Sequence, residues 1–241
     1  MLIIRPFLAL FVAALAGSAA DGTAANGTAR YYIAFLRPIP SRKSLSKAEG
    51  DRIQTAHMAN IHKMAQDGVL VAAGPFDDTP HTISGIFVFK VDSLQSAQQI
   101  ASRDPTVTEH RNTIDVHTWE GPPGIAAEYF RLHKLDPKTP ENMQVHPLCV
   151  LYPGTAWEGS GTTRDSLLAA HTAYIDQLRQ TGKLGAAGNI QAPDEMLGLV
   201  IFKSIPLEEA QTLLTADPAV QAGVLRPEYH SWWSSDHVLP W

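Results

Sequence analysis

The sequence predicts an α+β protein of two consecutive βαββαβ units, and three observations carry that expectation. The chain repeats itself: AHMANIHKMAQDGVLVAAGP at 56–75, ISGIFVFK at 83–90 and LQSAQQIASRDPTV at 94–107 return as AHTAYIDQLRQTGKLGAAGN at 170–189, MLGLVIFK at 196–203 and LEEAQTLLTADPAV at 207–220. The offset is 114 from His57/His171 to Gly74/Gly188 and then 113 through Asp104/Asp217 to Trp119/Trp232, a constancy that marks a duplicated folding unit. Within each copy, short β-branched and aromatic runs alternate with segments of helical periodicity in one order, the ferredoxin-like split βαβ. Two helices cover one face of such a four-stranded sheet, so the other face must be buried elsewhere.

In the first unit, YYIAFLRP at 31–38 reads as a strand ended by prolines. Ser46 and Glu49 have capping-box spacing and open a helix, along which Ile53, His57, Ile61 and Met64 share a stripe until Gly68 closes it. Strands follow at 69–74 and 83–91, then a helix capped by Ser93 with Leu94, Ala97, Ile100 and Ala101 inward, and a last strand at 112–119. The second unit reads as strand 146–152, helix 163–181, strands 183–188 and 196–203, helix 206–215 with Pro206 in its first turn, and strand 226–233. Residues 120–145, proline-rich and without a clear period, read as a linker, and 234–241 as a tail.

At the N-terminus, Arg5, the apolar run at 7–17 and Ser18-Ala19-Ala20 form a secretory signal-peptide pattern over 1–20, followed by a polar tether over 21–30. An uncleaved anchor is the competing reading, but the run is short for a span of about 18 or more apolar residues. A secreted or periplasmic protein is expected, with no stable membrane insertion after cleavage.

Across 241 residues, an apolar content of 44% and a charged content of 18% describe a folded chain with room for two domains of roughly 100 residues. A net charge of −5 without a Lys/Arg cluster argues against nucleic acid as a partner. Cys149 is the single cysteine, which rules out an intrachain disulfide, and its apolar run LCVLY suits an inert thiol. No metal site is expected, because His57 and His62 lie five apart on different helix faces and no His-x-x-x-His pair sits on a helix.

The motifs H-x-x-x-[IL], G-x-L-x-x-[AG]-G-P and a helix ending [AR]-D-P-x-V, each present twice, resemble the YCII-related (YciI-like) domain over 31–119 and 146–233. The resemblance implies a dimeric α/β-barrel in which two ferredoxin-like sheets pack face to face, here as an intramolecular pseudo-dimer. Whether it assembles further, as a homo-oligomer, stays open. It also implies an active-site pair of histidine and aspartate: His57 with Asp104, and His171 with Asp217. The Gly-Pro turn of the family is Gly74-Pro75, whereas the second copy has Gly188-Asn189. A relative is a dehydrochlorinase of a chlorinated hydroxyhydroquinone, and the fold is similar to that of muconolactone isomerases.

The residue chemistry is compatible with that implication. A carboxylate on one ring nitrogen of an imidazole fixes its tautomer and raises its basicity, which suits proton abstraction beside a carbonyl with no cofactor. The expected function is therefore a lyase or isomerase for a small aromatic or lactone-like compound, with a non-catalytic binding protein as alternative. Plainer readings stand beside each residue. The histidines can be satisfied core residues, Asp-Pro a helix cap, and the glycines turns of positive φ. His117 and His230, counted with Gly74, Pro75 and Gly188 as candidate substrate-binding residues, pair with Trp119 and Trp232 on the last strands; they either line the barrel interior or the contact between units, and contact between units is the favoured reading.

Overall fold

The structure, a computed structural model, describes residues 27–77, 82–158, 161–191 and 196–241. The signal-peptide expectation over 1–20 lies outside these residues. The first unit contains β1 (Ala29–Pro38), α1 (Lys47–Gln66), β2 (Leu70–Pro75), β3 (Gly85–Phe89), α2 (Leu94–Ala101), α3 (Pro105–Thr108) and β4 (Asn112–Gly121). After α4 (Ala127–Leu135), the second unit contains β5 (Met143–Pro153), α5 (Gly161–Gln180), β6 (Leu184–Gln191), β7 (Gly198–Phe202), α6 (Leu207–Thr215), α7 (Pro218–Gln221) and β8 (Leu225–Ser235). The expected order holds in both copies. The Ser46/Glu49 capping box is present at the start of α1. Pro206 stands at the N-cap of α6 rather than within its first turn.

The strands form one eight-stranded sheet in the order β2-β3-β1-β4-β6-β7-β5-β8. A bridge between Phe76 and Trp232 joins its two ends, closing the sheet into a barrel. Each unit turns its helices outward, and the sheet face that those helices leave bare becomes the barrel interior. There Tyr31, Ile33, Phe35 and Trp119 of one unit share a buried cluster with Leu148, Val150, Ile201 and Trp232 of the other. The helix-facing sides of the two sheets build separate clusters, one per unit. Cys149 is buried in one of them, and burial pushes its thiol pKa up, away from nucleophilic use.

Two seams join the units, and they differ. At β4/β6, Thr118, Trp119 and Glu120 pair with Gln191, Ile190 and Asn189. At β8/β2, the isolated Phe76–Trp232 bridge is supported by the Asp77 amide donating to the Ser231 carbonyl at 3.0 Å. The position equivalent to Asn189 is Pro75, which has no amide hydrogen to give the facing strand. Gly74 and Gly188 explain themselves here as well. A side-chain carbon at Gly74 would overlap the Trp233 carbonyl, and one at Gly188 the Glu120 carbonyl. These glycines stand in strands and are not among the residues with positive φ, so the turn reading is corrected: they let two backbones meet.

The linker is also more structured than its composition suggests. Residues 127–135 form α4, and Ile125, Ala126 and Tyr129 join the interior cluster. The tail packs too, with Val238 buried and its carbonyl accepting from the Ala126 amide at 2.8 Å.

Candidate functional site

Both His-Asp pairs form. His57, on the sheet-facing side of α1, places Nδ1 at 2.7 Å from Oδ2 of Asp104, and His171 on α5 places Nδ1 at 2.5 Å from Oδ2 of Asp217. Each aspartate is also the N-cap of a four-residue helix with proline at its first position, accepting from the Thr106 amide at 2.9 Å or the Ala219 amide at 2.8 Å. The capping reading and the pairing reading therefore describe one arrangement. It follows that Asp104 opens α3 rather than lying unfavourably at the end of α2. At a helix N-terminus, partial positive charge supports a carboxylate.

The aspartates are fully buried and the imidazoles only partly, each with 16% of its side chain exposed. Burial alone would raise the Asp104 pKa, but the hydrogen bond and charge of His57 and the bonds from Thr106 outweigh it and hold the pKa below its usual value. An ionised carboxylate only accepts, so in the neutral imidazole Nδ1 must carry the proton. Nε2 then holds the lone pair, which is the arrangement of a general base.

The two pairs part company in their surroundings. Asp104 accepts from four donors: His57, the Thr106 amide, the Thr106 hydroxyl at 2.6 Å and the Asn60 amide group at 3.1 Å. Among the described residues, Asp217 accepts only from His171 and the Ala219 amide, because Ala219 replaces Thr106 and Tyr174 replaces Asn60. Tyr174 sends its hydroxyl to the Leu213 carbonyl at 2.7 Å instead. Beside the first pair, the Phe87 ring stacks on His57 with centroids 5.9 Å apart. Val200 stands at that position in the second unit, and Thr172 replaces Met58.

An open cleft of about 680 Å³ lies against His171. One wall is α5, another is β6 and β7 including Gly188 and Asn189, and a third comes from the first unit and linker through Thr28, Glu120, Pro122 and Pro123. Of the expected substrate-binding residues, Gly188 lines this cleft. Gly74 and Pro75 lie at the far seam. His117 and His230 turn into the barrel, His117 at 6.2 Å from the Phe35 ring and His230 stacked on Phe76 at 4.7 Å. His230 and Phe76 come from different units, whereas His117 and Phe35 belong to the same one, so only His230 makes the contact between units. The cleft borders the second His-Asp pair. Arg179, Trp241 and Thr172 were not foreseen as lining residues. Arg179 and Thr172 are positions where the copies differ, as Ala65 against Arg179, so comparing copies for difference, not likeness, is the signal that would have found them.

Two ferredoxin-like units closed into one barrel, each with a buried carboxylate on a helix-borne imidazole, define a tandem α/β-barrel protein with a His-Asp pair in each half. The chain belongs to the YCII-related domain family, whose profile matches residues 31–119 and 145–229. A chlorite dismutase variant from Candidatus Nitrospira defluvii is similar in structure, with a TM-score of 0.54 at 11% identity over 89% of this chain and 94% of that one. A heme-binding protein from Thermus thermophilus is similar with a TM-score of 0.51 at 13% identity, over 88% and 93%. At such identities the likeness is one of fold. No curated protein matches the chain.

Proposed function

We propose that the chain is an exported, cofactor-free lyase or isomerase acting on a small cyclic compound, with its chemistry in the second repeat. The observation that carries this reading is that His171 lines the cleft while its partner Asp217 has only one other donor among the described residues. A carboxylate shared among fewer donors keeps more of its acceptor capacity for the imidazole, and this imidazole borders an open space in which a substrate can reach it. In the proposed step, Nε2 of His171 takes a proton from carbon beside a carbonyl. Asp217 stabilises the imidazolium that forms, and the proton returns at a neighbouring position or a leaving group departs. The first pair, its carboxylate saturated with donors and its imidazole stacked on Phe87, is then a structural copy.

The test is deuterium exchange into cyclic ketones and lactones in heavy water, followed by NMR. His171→Ala should lose exchange by about 100-fold or more, the usual worth of a general base, and His57→Ala should keep most of it. Equal loss in both variants, or exchange unaffected by His171→Ala, would reject the assignment.

A second reading is a binding protein that uses the same cleft without turnover. The heme-binding protein of similar fold makes haem the first ligand to try, since the cleft falls within the roughly 300–1,000 Å³ of cofactor sites. The residues fit: Nε2 of His171 is the atom that would hold iron, with Asp217 orienting the ring as second-sphere carboxylates do. Bound haem would supply redox chemistry. A Soret shift on hemin titration that disappears in His171→Ala would favour this reading.

A further inference from the structure

We propose that Arg179 is the specificity group of the cleft and selects a cyclic carboxylic acid. The inference rests on the cleft beside His171 being the functional site. His171, Ile175 and Arg179 recur every four residues on α5 and all line the cleft, so one helix face offers a base, an apolar step and a cation in that order. The first and last of these are about 12 Å apart along the helix axis, and the arginine side chain can fold back over part of that distance. The remaining gap suits a single ring lying on Ile175, with its reactive carbon at His171 and an acidic group at Arg179.

Three further observations support the assignment. Arg179 sits over the Trp241 ring, 5.5 Å from its centroid, and Trp241 lines the same cleft, so the guanidinium has a flat platform that leaves its edge for a carboxylate. Its ion pair with Asp176 spans 3.6 Å between half-exposed side chains, an arrangement easily exchanged for a better acceptor. The other carboxylate in the wall, Glu120, is held by Arg30 at 2.8 Å, which limits its repulsion of an anion. The first unit has Ala65 at the corresponding position. The cation is thus found only in the copy whose pair faces the cleft.

The experiment measures binding, separately from turnover, with benzoate and its neutral isostere benzamide, by calorimetry on the full mature chain. Benzoate should bind at least about tenfold more tightly than benzamide, the scale of one charge-assisted hydrogen bond, and the preference should shrink with salt. Arg179→Gln should erase the preference, and Arg179→Lys should restore part of it. Equal affinity for the two probes, a preference that survives Arg179→Gln, or binding of neither overturns the proposal. His171→Ala should retain the benzoate preference. Loss of deuterium exchange with selection of acids intact thus separates the two assignments, as does exchange without any such selection.

Discussion

At the scale of single residues, the aspartates do two jobs with one carboxylate, and the surplus of donors around Asp104 shows what the second copy gave up. Lacking counterparts of Thr106 and Asn60, Asp217 has fewer hydrogen-bond donors among the described residues. The buried imidazoles carry a further consequence. Burial lowers the pKa of His117 and of His146 below their ordinary 6.5. Below pH 6.5 the unfolded chain takes up protons that the folded chain refuses, so stability should fall as pH drops from there. Asp104 acts in a lower window: its folded pKa lies below 3.8, so its contribution is present above that value and lost as pH falls through the depressed folded pKa. Thermal melts between pH 8 and 5 should show a declining Tm, lessened in His146→Phe; a flat profile would contradict the account.

At the scale of elements, the sequence carried the βαββαβ order well because the signals are local. Ser46 with Glu49, Ser93 before its helix, and alternating strands each announce themselves within a few residues. What stayed hidden depends on contacts distant in sequence. The linker helix α4 begins after Ala126, which has a φ of 60° and no side-chain cap, so nothing nearby marks its start. It is fixed instead by the Tyr31 hydroxyl accepting from the Ile125 amide and by the Tyr129 hydroxyl donating to Glu141. The His-Asp pairs were legible through duplication, while the cleft was not, because its walls come from both units and the linker. The seam glycines permit a direct check. Gly74→Ala or Gly188→Ala must push two strands apart and should cost about 1–3 kcal/mol by overpacking, readable in urea melts. An unchanged midpoint would mean that the strands do not approach as described.

At the scale of the molecule, duplication places both halves of a barrel in one chain, so the interior face of each sheet is covered without a second copy. The export reading belongs here too: protein recovered from cells should begin near Asp21, and an intact N-terminus in a cytoplasmic fraction would assign the apolar run at 7–17 another role. The unequal seams have a mechanical consequence. Among the described residues, the β4/β6 junction, which borders the cleft, is a ladder of three paired residues, whereas its counterpart across the ring has one bridge beside Pro75. A closed ring with a single weak clasp opens at the clasp. Amides along β2 and the facing stretch of β8 should therefore exchange with solvent sooner than those of β4 and β6. Such an exchange pattern would place the breathing of the barrel on the side away from the cleft, with the walls beside His171 on the firmer seam.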